Sequence, residues 1–305
     1  MRKIYFFLIF TTLYFQVKAQ DSLLRSISDS LSAAPGTDYV RGTFKALYIV
    51  NMKTVETPAA GALNFEIQHR FGTINQGAYH LWGLDFATLR LGLDYGITDR
   101  LSVGIGRSSV LETFDGYVKY KLLRQTETGM PVSVSLLGTT SYFTDKISDP
   151  KLDSAFKSEY RLAYTAQILI ARKFSSRFSL QITPTFIHYN LVDSTIDHNN
   201  VFALAAGGRF KITKRMAITA EYNYLFPNQL NSYNGLPLHN ALSFGWDIET
   251  GGHVFQLVFT NAQTMNEPQY IGQTTGSWGN GDVYFGFNIS RIFSLKPHNK
   301  AKSLN

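Results

Sequence analysis

Acidic and basic side chains recur at alternate positions along this chain, most of them between apolar neighbours: Glu66, Arg70, Arg90, Asp94, Asp115, Lys119, Lys121, Arg161, Arg209, Glu221, Asp247 and Glu249. If the fold points them into one enclosed interior, two kinds of chemistry are open. Hydrated, they line a polar passage for ions or small solutes. Paired with one another, they close that interior, because a charge removed from bulk water must be matched or wetted. Positive and negative members are balanced, so no strong ion selectivity is expected.

The histidines raise a second chemistry. Asp197-His198 falls in a long connection, where a rim hydrolase would need Asp/His or Ser/His geometry. No Ser–His spacing marks a nucleophile, and no catalytic residue is assigned; the chain is expected not to be an enzyme. Asp193-Ser194-Thr195-Ile196-Asp197-His198-Asn199 sets oxygen ligands at alternate positions like a calcium loop. It lacks the central glycine and the distal glutamate of that motif. Asp145, Asp149 and Asp153 are spaced similarly, and neither group is taken as a metal site. No cofactor is expected. Asn288-Ile289-Ser290 matches a glycosylation sequon but lies inside a strand-like run. Gly104-Ile105-Gly106 is not followed by a helix, so it forms no phosphate cradle.

The elements that must carry these residues repeat from Leu63 to Phe293. In Leu63-Asn64-Phe65-Glu66-Ile67-Gln68-His69-Arg70-Phe71 the odd positions are greasy and the even ones polar. Successive strand side chains point to opposite faces, so this period gives a sheet with one oily and one wet side. About twelve such strands are expected, at Ala62–Phe71, Phe86–Tyr95, Leu101–Arg107, Thr113–Leu123, Val132–Phe143, Tyr160–Ala171, Phe178–Tyr189, Val201–Phe210, Met216–Leu225, Leu242–Glu249, Val254–Asn261 and Val283–Phe293. Short connections (97–100, 173–177, 211–215, 250–253) alternate with long ones (72–85, 144–159, 190–200, 226–240, 262–282). The link at 108–111 is short where a long one is expected, and 124–131 is long for its side. This is the pattern of an all-β, transmembrane, antiparallel up-and-down barrel, with short turns in the periplasm and long loops outside. Met216, Ile218, Ala220, Tyr222 and Tyr224 face lipid in this reading, and Ala217, Thr219, Glu221 and Asn223 face inward. Pro184 sits at a central strand position and predicts a bulge or local bend. Phe71, Tyr95, Tyr142, Phe143, Tyr160, Tyr189, Phe210, Tyr224 and Phe293 crowd the strand ends as two interfacial girdles.

Composition agrees. Residues 1–19 read as a signal peptide: Arg2 and Lys3, then an apolar run from Ile4 to Phe15 too short to span a bilayer, then Val17-Lys18-Ala19. Residues 20–58 form a periplasmic leader or plug segment, 59–293 the barrel, and 294–305 a basic periplasmic tail. Within the leader, Thr43–Val50 is either a short first strand or, as preferred, part of a segment tucked into the barrel mouth. The formal charge of +7 falls to +4 without Arg2, Lys3 and Lys18, and to about +1 without Lys296, Lys300 and Lys302. That leaves no footprint for nucleic acid. The chain has no cysteine, so disulfides are excluded.

Two blocks, His69-Arg70-Phe71-Gly72 and Gly83–Ser108 (GLDFATLRLGLDYGITDRLSVGIGRS), resemble the domain-of-unknown-function 5777 family of β-barrels from Bacteroidota-type bacteria. Gly252–Gln273 (GHVFQLVFTNAQTMNEPQYIGQ) and Gly281–Phe293 (GDVYFGFNISRIF) resemble it too. The resemblance runs roughly from Thr43 to Phe293 and implies a barrel in the bacterial outer membrane; it brings no catalytic residues. The last strand also resembles an outer-membrane assembly signal, with Val283, Phe285, Phe287, Ile289 and Phe293 on one face, interrupted by Arg291. The expected partners are outer-membrane lipids and the barrel-assembly machinery, with a small solute or a surface partner unidentified. The expected function is a small pore or solute transporter. Three alternatives stand beside it: a closed scaffold barrel binding a partner through 226–240 and 262–282, a rim hydrolase, and a secreted soluble β-sandwich.

Overall fold

The computed structural model describes residues 38–147, 149, 151, 153 and 156–295. The expected signal peptide, leader residues 20–37 and tail residues 296–305 lie outside the described residues.

Twelve strands form one closed antiparallel barrel. They are β1 (Ala62–Thr73), β2 (Ala87–Gly96), β3 (Leu101–Ser108), β4 (Phe114–Leu123), β5 (Ser133–Tyr142), β6 (Leu162–Lys173), β7 (Phe178–Tyr189), β8 (Asn200–Lys211) and β9 (Met216–Leu225), then β12 (Ala241–Glu249), β13 (His253–Thr260) and β14 (Tyr284–Ser294). Between β9 and β12 the outer connection makes its own small hairpin, β10 (Ser232–Tyr233) with β11 (Leu236–Pro237). Closure comes from β1 pairing with β14, from Ala62 opposite Ser294 to Arg70 opposite Gly286. Every barrel strand thereby has a partner on both sides and no sheet edge is left open, as a span through hydrocarbon demands. Each expected strand coincides with a barrel strand, with ends moved by at most two residues. The stacked sheets of a β-sandwich are absent from the described residues.

The alternation works as the period of two requires. On β9, Ala217, Thr219, Glu221 and Asn223 are buried, whereas Met216, Ile218, Tyr222 and Tyr224 are exposed. The exposed set continues round the cylinder through Ile105, Val118, Ile168, Ile182, Phe202, Phe244 and Leu257. An apolar outer band over a closed antiparallel ring of even strand number is the outer-membrane mode of crossing a bilayer. Among the described residues no helix is long and apolar enough to cross.

Two local expectations change, at Pro184 and at the girdle positions Tyr189 and Phe143. Pro184 makes no bulge: β7 runs unbroken against β8, and against β6 the pairing lapses between Gln167–Thr185 and Ile170–Ile182 and resumes in the same register. Losing one N–H removes ladder bonds on one side only, so no residue need be inserted. Tyr189 is not in a girdle; it is buried, and its hydroxyl donates to the Pro268 carbonyl at 2.6 Å inside the barrel. Phe143 likewise packs against that inner cluster. Of the two readings of Thr43–Val50, the first strand is absent: the segment lies inside the barrel. Its β-branched and aromatic residues pack against the inner wall instead, as described next.

Candidate functional site: a lumen filled from both ends

Residues 39–60 form a hairpin inside the cylinder. Both feet stand at the short-turn end. The Val40 N–H donates to Gln125 O at 2.9 Å, and Gly61 N–H to Gly96 O at 2.7 Å. The arms meet through Thr54 N–H to Leu47 O and close with Ile49 N–H to Met52 O, each at 2.8 Å. The second foot crosses Gly96 so closely that a Cβ there would lie 2.2 Å from Ala59 O, which leaves glycine the residue that fits.

The hairpin is a backbone without a sheet, and side chains of the wall take the place of the missing strands. At the tip, the N–H groups of Val50, Asn51 and Met52 donate to the Glu221 carboxylate at 3.0, 2.9 and 3.0 Å. The Gln181 amide acts as a substitute strand, donating to Lys53 O at 2.9 Å and accepting from Val55 N–H at 2.8 Å. Lys119 and Ser135 donate to Thr54 O and Val55 O, and Asn288 and Gln256 donate to Val50 O and Ile49 O. The apolar arm residues Phe44, Ile49, Met52 and Val55 pack on Leu137, Leu169, Ala171 and Ala205 of the wall.

The outer end is filled by the chain between β13 and β14. It turns inward and forms a short helix, α1 (Glu267–Gly272), with all its residues buried. Asn266 caps it, and Tyr270 and Ile271 pack on Ala163, Ile187, Tyr189, Val201 and Ala203. Plug and helix touch through one ion pair: Lys53 Nζ lies 2.5 Å from Glu267 Oε1, with the side chains 3% and 1% exposed. The Lys53 ammonium also sits 4.9 Å from the centre of the Tyr117 ring.

The charged positions read from the sequence divide by location. Glu66, Arg70, Arg90, Asp94, Asp115, Lys119, Lys121, Glu221 and Asp247 are buried on the inner face. Arg70 donates to Asn51 and Asn288 at 2.9 and 2.8 Å. Arg90 and Asp115 form a two-pronged pair at 2.9 and 2.5 Å. Asp94 accepts from Asn64 and Tyr117. Arg209, near the short-turn end, bridges Asp247 and Glu249. Arg161 is placed differently. It ends a 3₁₀ turn at the outer rim and pairs with Asp153 at 2.7 Å. Arg161 thus ties down its own loop and takes no part in the lumen.

The Gly104-Ile105-Gly106 segment is a packing device. A Cβ on Gly106 would lie 2.4 Å from Arg90 Nη2 and 2.8 Å from Asp115 Oδ1. Gly106→Ala is expected to lower stability by about 1–3 kcal/mol through overpacking, measured by urea unfolding in lipid vesicles; an unchanged midpoint would contradict that packing.

The loop acids are structural. Asp197 Oδ1 accepts from Asn231 N–H and Nδ2, and Asp193 accepts from Asn234 N–H, stapling 190–200 to the β10–β11 hairpin. Among the described residues no group of His, Cys, Asp and Glu is arranged to hold a metal. His188 Nδ1 lies 2.7 Å from Asn200 Oδ1 on the outer face.

Lys53, Glu56, Gln181, Gln256, Glu267 and Asn288 carry the closure but were not singled out as site residues. The sequence holds a signal for them. The inward residues Leu137, Leu169, Ile187, Val201, Ala203 and Ala205 are apolar and cluster on β5–β8, whereas charged side chains crowd the inner face of β1–β4. Apolar residues on both faces of β5–β8 imply a second layer packed inside.

Glu56 anchors the foot, 3.0 Å from Lys121 Nζ. Burial raises the pKa of its carboxyl, but the Lys121 ammonium and the N–H groups of Phe44 and Thr43 outweigh this and hold it below the usual carboxylate value. A group with a depressed folded pKa stabilises the docked hairpin above its unfolded value, about 4.3, and that stability is lost as pH falls through the folded value. Residues 43–57 are therefore expected to gain hydrogen exchange, corrected for intrinsic rate, below about pH 4. Glu56→Gln should abolish that step, and flat protection in the wild type would refute it.

Three solved structures are similar to this chain. The NanC porin matches 77% of this chain and 100% of its own at 11% identity and a TM-score of 0.45. The KdgM porin matches 76% and 99% at 6% identity and 0.44. Outer membrane phospholipase A from Escherichia coli matches 87% and 100% at 9% identity and 0.43. A comparison with curated proteins finds no match. The family described as membrane bound beta barrel domain (DUF5777) matches residues 44–293, which include the inner hairpin from Phe44 onward and all twelve barrel strands up to Phe293. This chain belongs to that family of membrane-bound β-barrels.

Proposed function

We propose that this barrel is a gated outer-membrane pore for small solutes, held shut in the state described. The observation that carries the reading is the pairing of Lys53 with Glu267, which ties a removable hairpin from one side to a removable loop from the other. A barrel of eight strands is filled by its own wall, whereas sixteen leave a water channel. Twelve strands enclose more room than the wall residues fill, and here two separate segments occupy it. Neither segment is part of the barrel's hydrogen-bonded ring, so both can leave without breaking it.

A solute-efflux assay tests this. Lys53→Met leaves the Glu267 carboxylate buried without its partner, a loss of about 3–5 kcal/mol if the pair stays desolvated. Vesicles carrying this variant are expected to release a trapped monosaccharide faster than vesicles carrying the wild type. Equal release at the lipid-only rate would favour the scaffold reading, which the dense bonding of the hairpin supports. We infer no enzymatic role: the His188 ring bonds Asn200 rather than a hydroxyl, and Asp197 beside His198 is taken up by Asn231.

A further inference from the structure

The outward face carries arginine at three strand positions, each laid on a phenylalanine. Arg107 sits over Phe114 at 4.5 Å, Arg172 over Phe174 at 5.2 Å and Arg291 over Phe293 at 4.7 Å. Their surroundings differ by side. Arg107 is at the long-loop end, and its charge is met by Glu112 at 3.3 Å. Arg172 and Arg291 are at the short-turn end, exposed, and have no acidic partner among the described residues. They lie on opposite sides of the ring, on β6 and β14. Between and beside them the short turns present Arg100, Arg177, Lys214 and Arg215, all exposed. The short-turn side also exposes Asp99 and Glu127, and the long-loop rim exposes Asp85, Glu112, Asp149 and Glu159 together with Lys146 and Lys157.

Exposed arginines at lipid-facing positions near strand ends, each laid on an aromatic ring, stand at headgroup depth. A guanidinium there meets the phosphates of the adjoining leaflet, which it binds in a two-pronged fashion. We propose that Arg172 and Arg291, with the basic short turns, form a collar that selects anionic phospholipids in the periplasmic leaflet around the barrel. The occupant is a lipid and not an acidic protein, because both side chains project from strand faces that continue the apolar band. The inference rests on membrane embedding and is independent of whether the lumen conducts.

Native mass spectrometry of the full chain, released from micelles doped with equal phosphatidylglycerol and phosphatidylcholine, tests it. The wild type is expected to retain phosphatidylglycerol in preference, and added salt should weaken that preference. Each arginine near an anionic surface contributes about a fivefold factor. The double variant Arg172→Gln/Arg291→Gln should therefore lose most of the selectivity, Arg172→Lys/Arg291→Lys should keep most of it, and Arg107→Gln should leave it unchanged. No preference in the wild type would overturn the proposal without any variant. An unchanged preference in the double glutamine variant, or equal loss in Arg107→Gln, would overturn it as well.

Discussion

Glu221→Ala is expected to free the tip of the inner hairpin. One carboxylate accepts from three consecutive backbone N–H groups, those of Val50, Asn51 and Met52. All three residues are buried, so alanine strands three donors away from water. An unmatched buried donor costs about 1–3 kcal/mol. The sum exceeds what most single contacts contribute, and the hairpin has a cheaper course: the tip withdraws and hydrates. The stability loss of the barrel should then be smaller than the sum, while amide exchange at 49–53 rises by orders of magnitude. Glu221→Gln retains one acceptor oxygen and should fall between. Wild-type protection at 49–53 in Glu221→Ala would show that the carboxylate does not hold the tip.

Arg90→Ala is expected to damage the barrel itself. Arg90 is 1% exposed and its partner Asp115 4%. Removing the guanidinium leaves a carboxylate desolvated and unpaired, a loss of about 3–5 kcal/mol. It also removes the donor to Tyr48 Oη at 3.3 Å, which loosens the hairpin arm. The double variant Arg90→Met/Asp115→Leu takes away both charges and should recover most of the lost stability, because an apolar pair of similar volume avoids desolvation altogether. Denaturant midpoints in vesicles decide it. A double variant no more stable than Arg90→Ala would mean that the pair contributes through shape and not through charge balance.

The sheet was legible because its signal is local. On β7 and β9 the oily face is written every second residue, and both strands fall where that period puts them. The lumen charges were legible for the same reason, since Glu66 or Asp94 between two greasy neighbours has one way to point. Arg161 was misplaced because alternation cannot tell the last residue of a loop from the first of a strand. What closes the lumen was harder to read. Thr43–Val50 has strand-like composition, yet the N–H and C=O of Val50 are satisfied by Glu221 and Asn288, 171 and 238 residues away. No local period encodes such partners. Glu267 resembles any acid in a long loop until the fold brings Lys53 against it. The one trace in the sequence is the doubly apolar stretch of β5–β8, around Leu137, Leu169 and Ile187, which lipid alone does not explain.

Closure by the hairpin is tested most directly by paired planar-bilayer recordings of the full chain and a variant lacking residues 43–57, both confirmed as folded barrels by heat-shifted gel mobility. The wild type should remain near background with brief openings, and the deletion variant should conduct steadily, with no strong preference for cations or anions. A folded deletion variant as silent as the wild type would contradict the account, and so would a wild type that conducts steadily with residues 43–57 still docked.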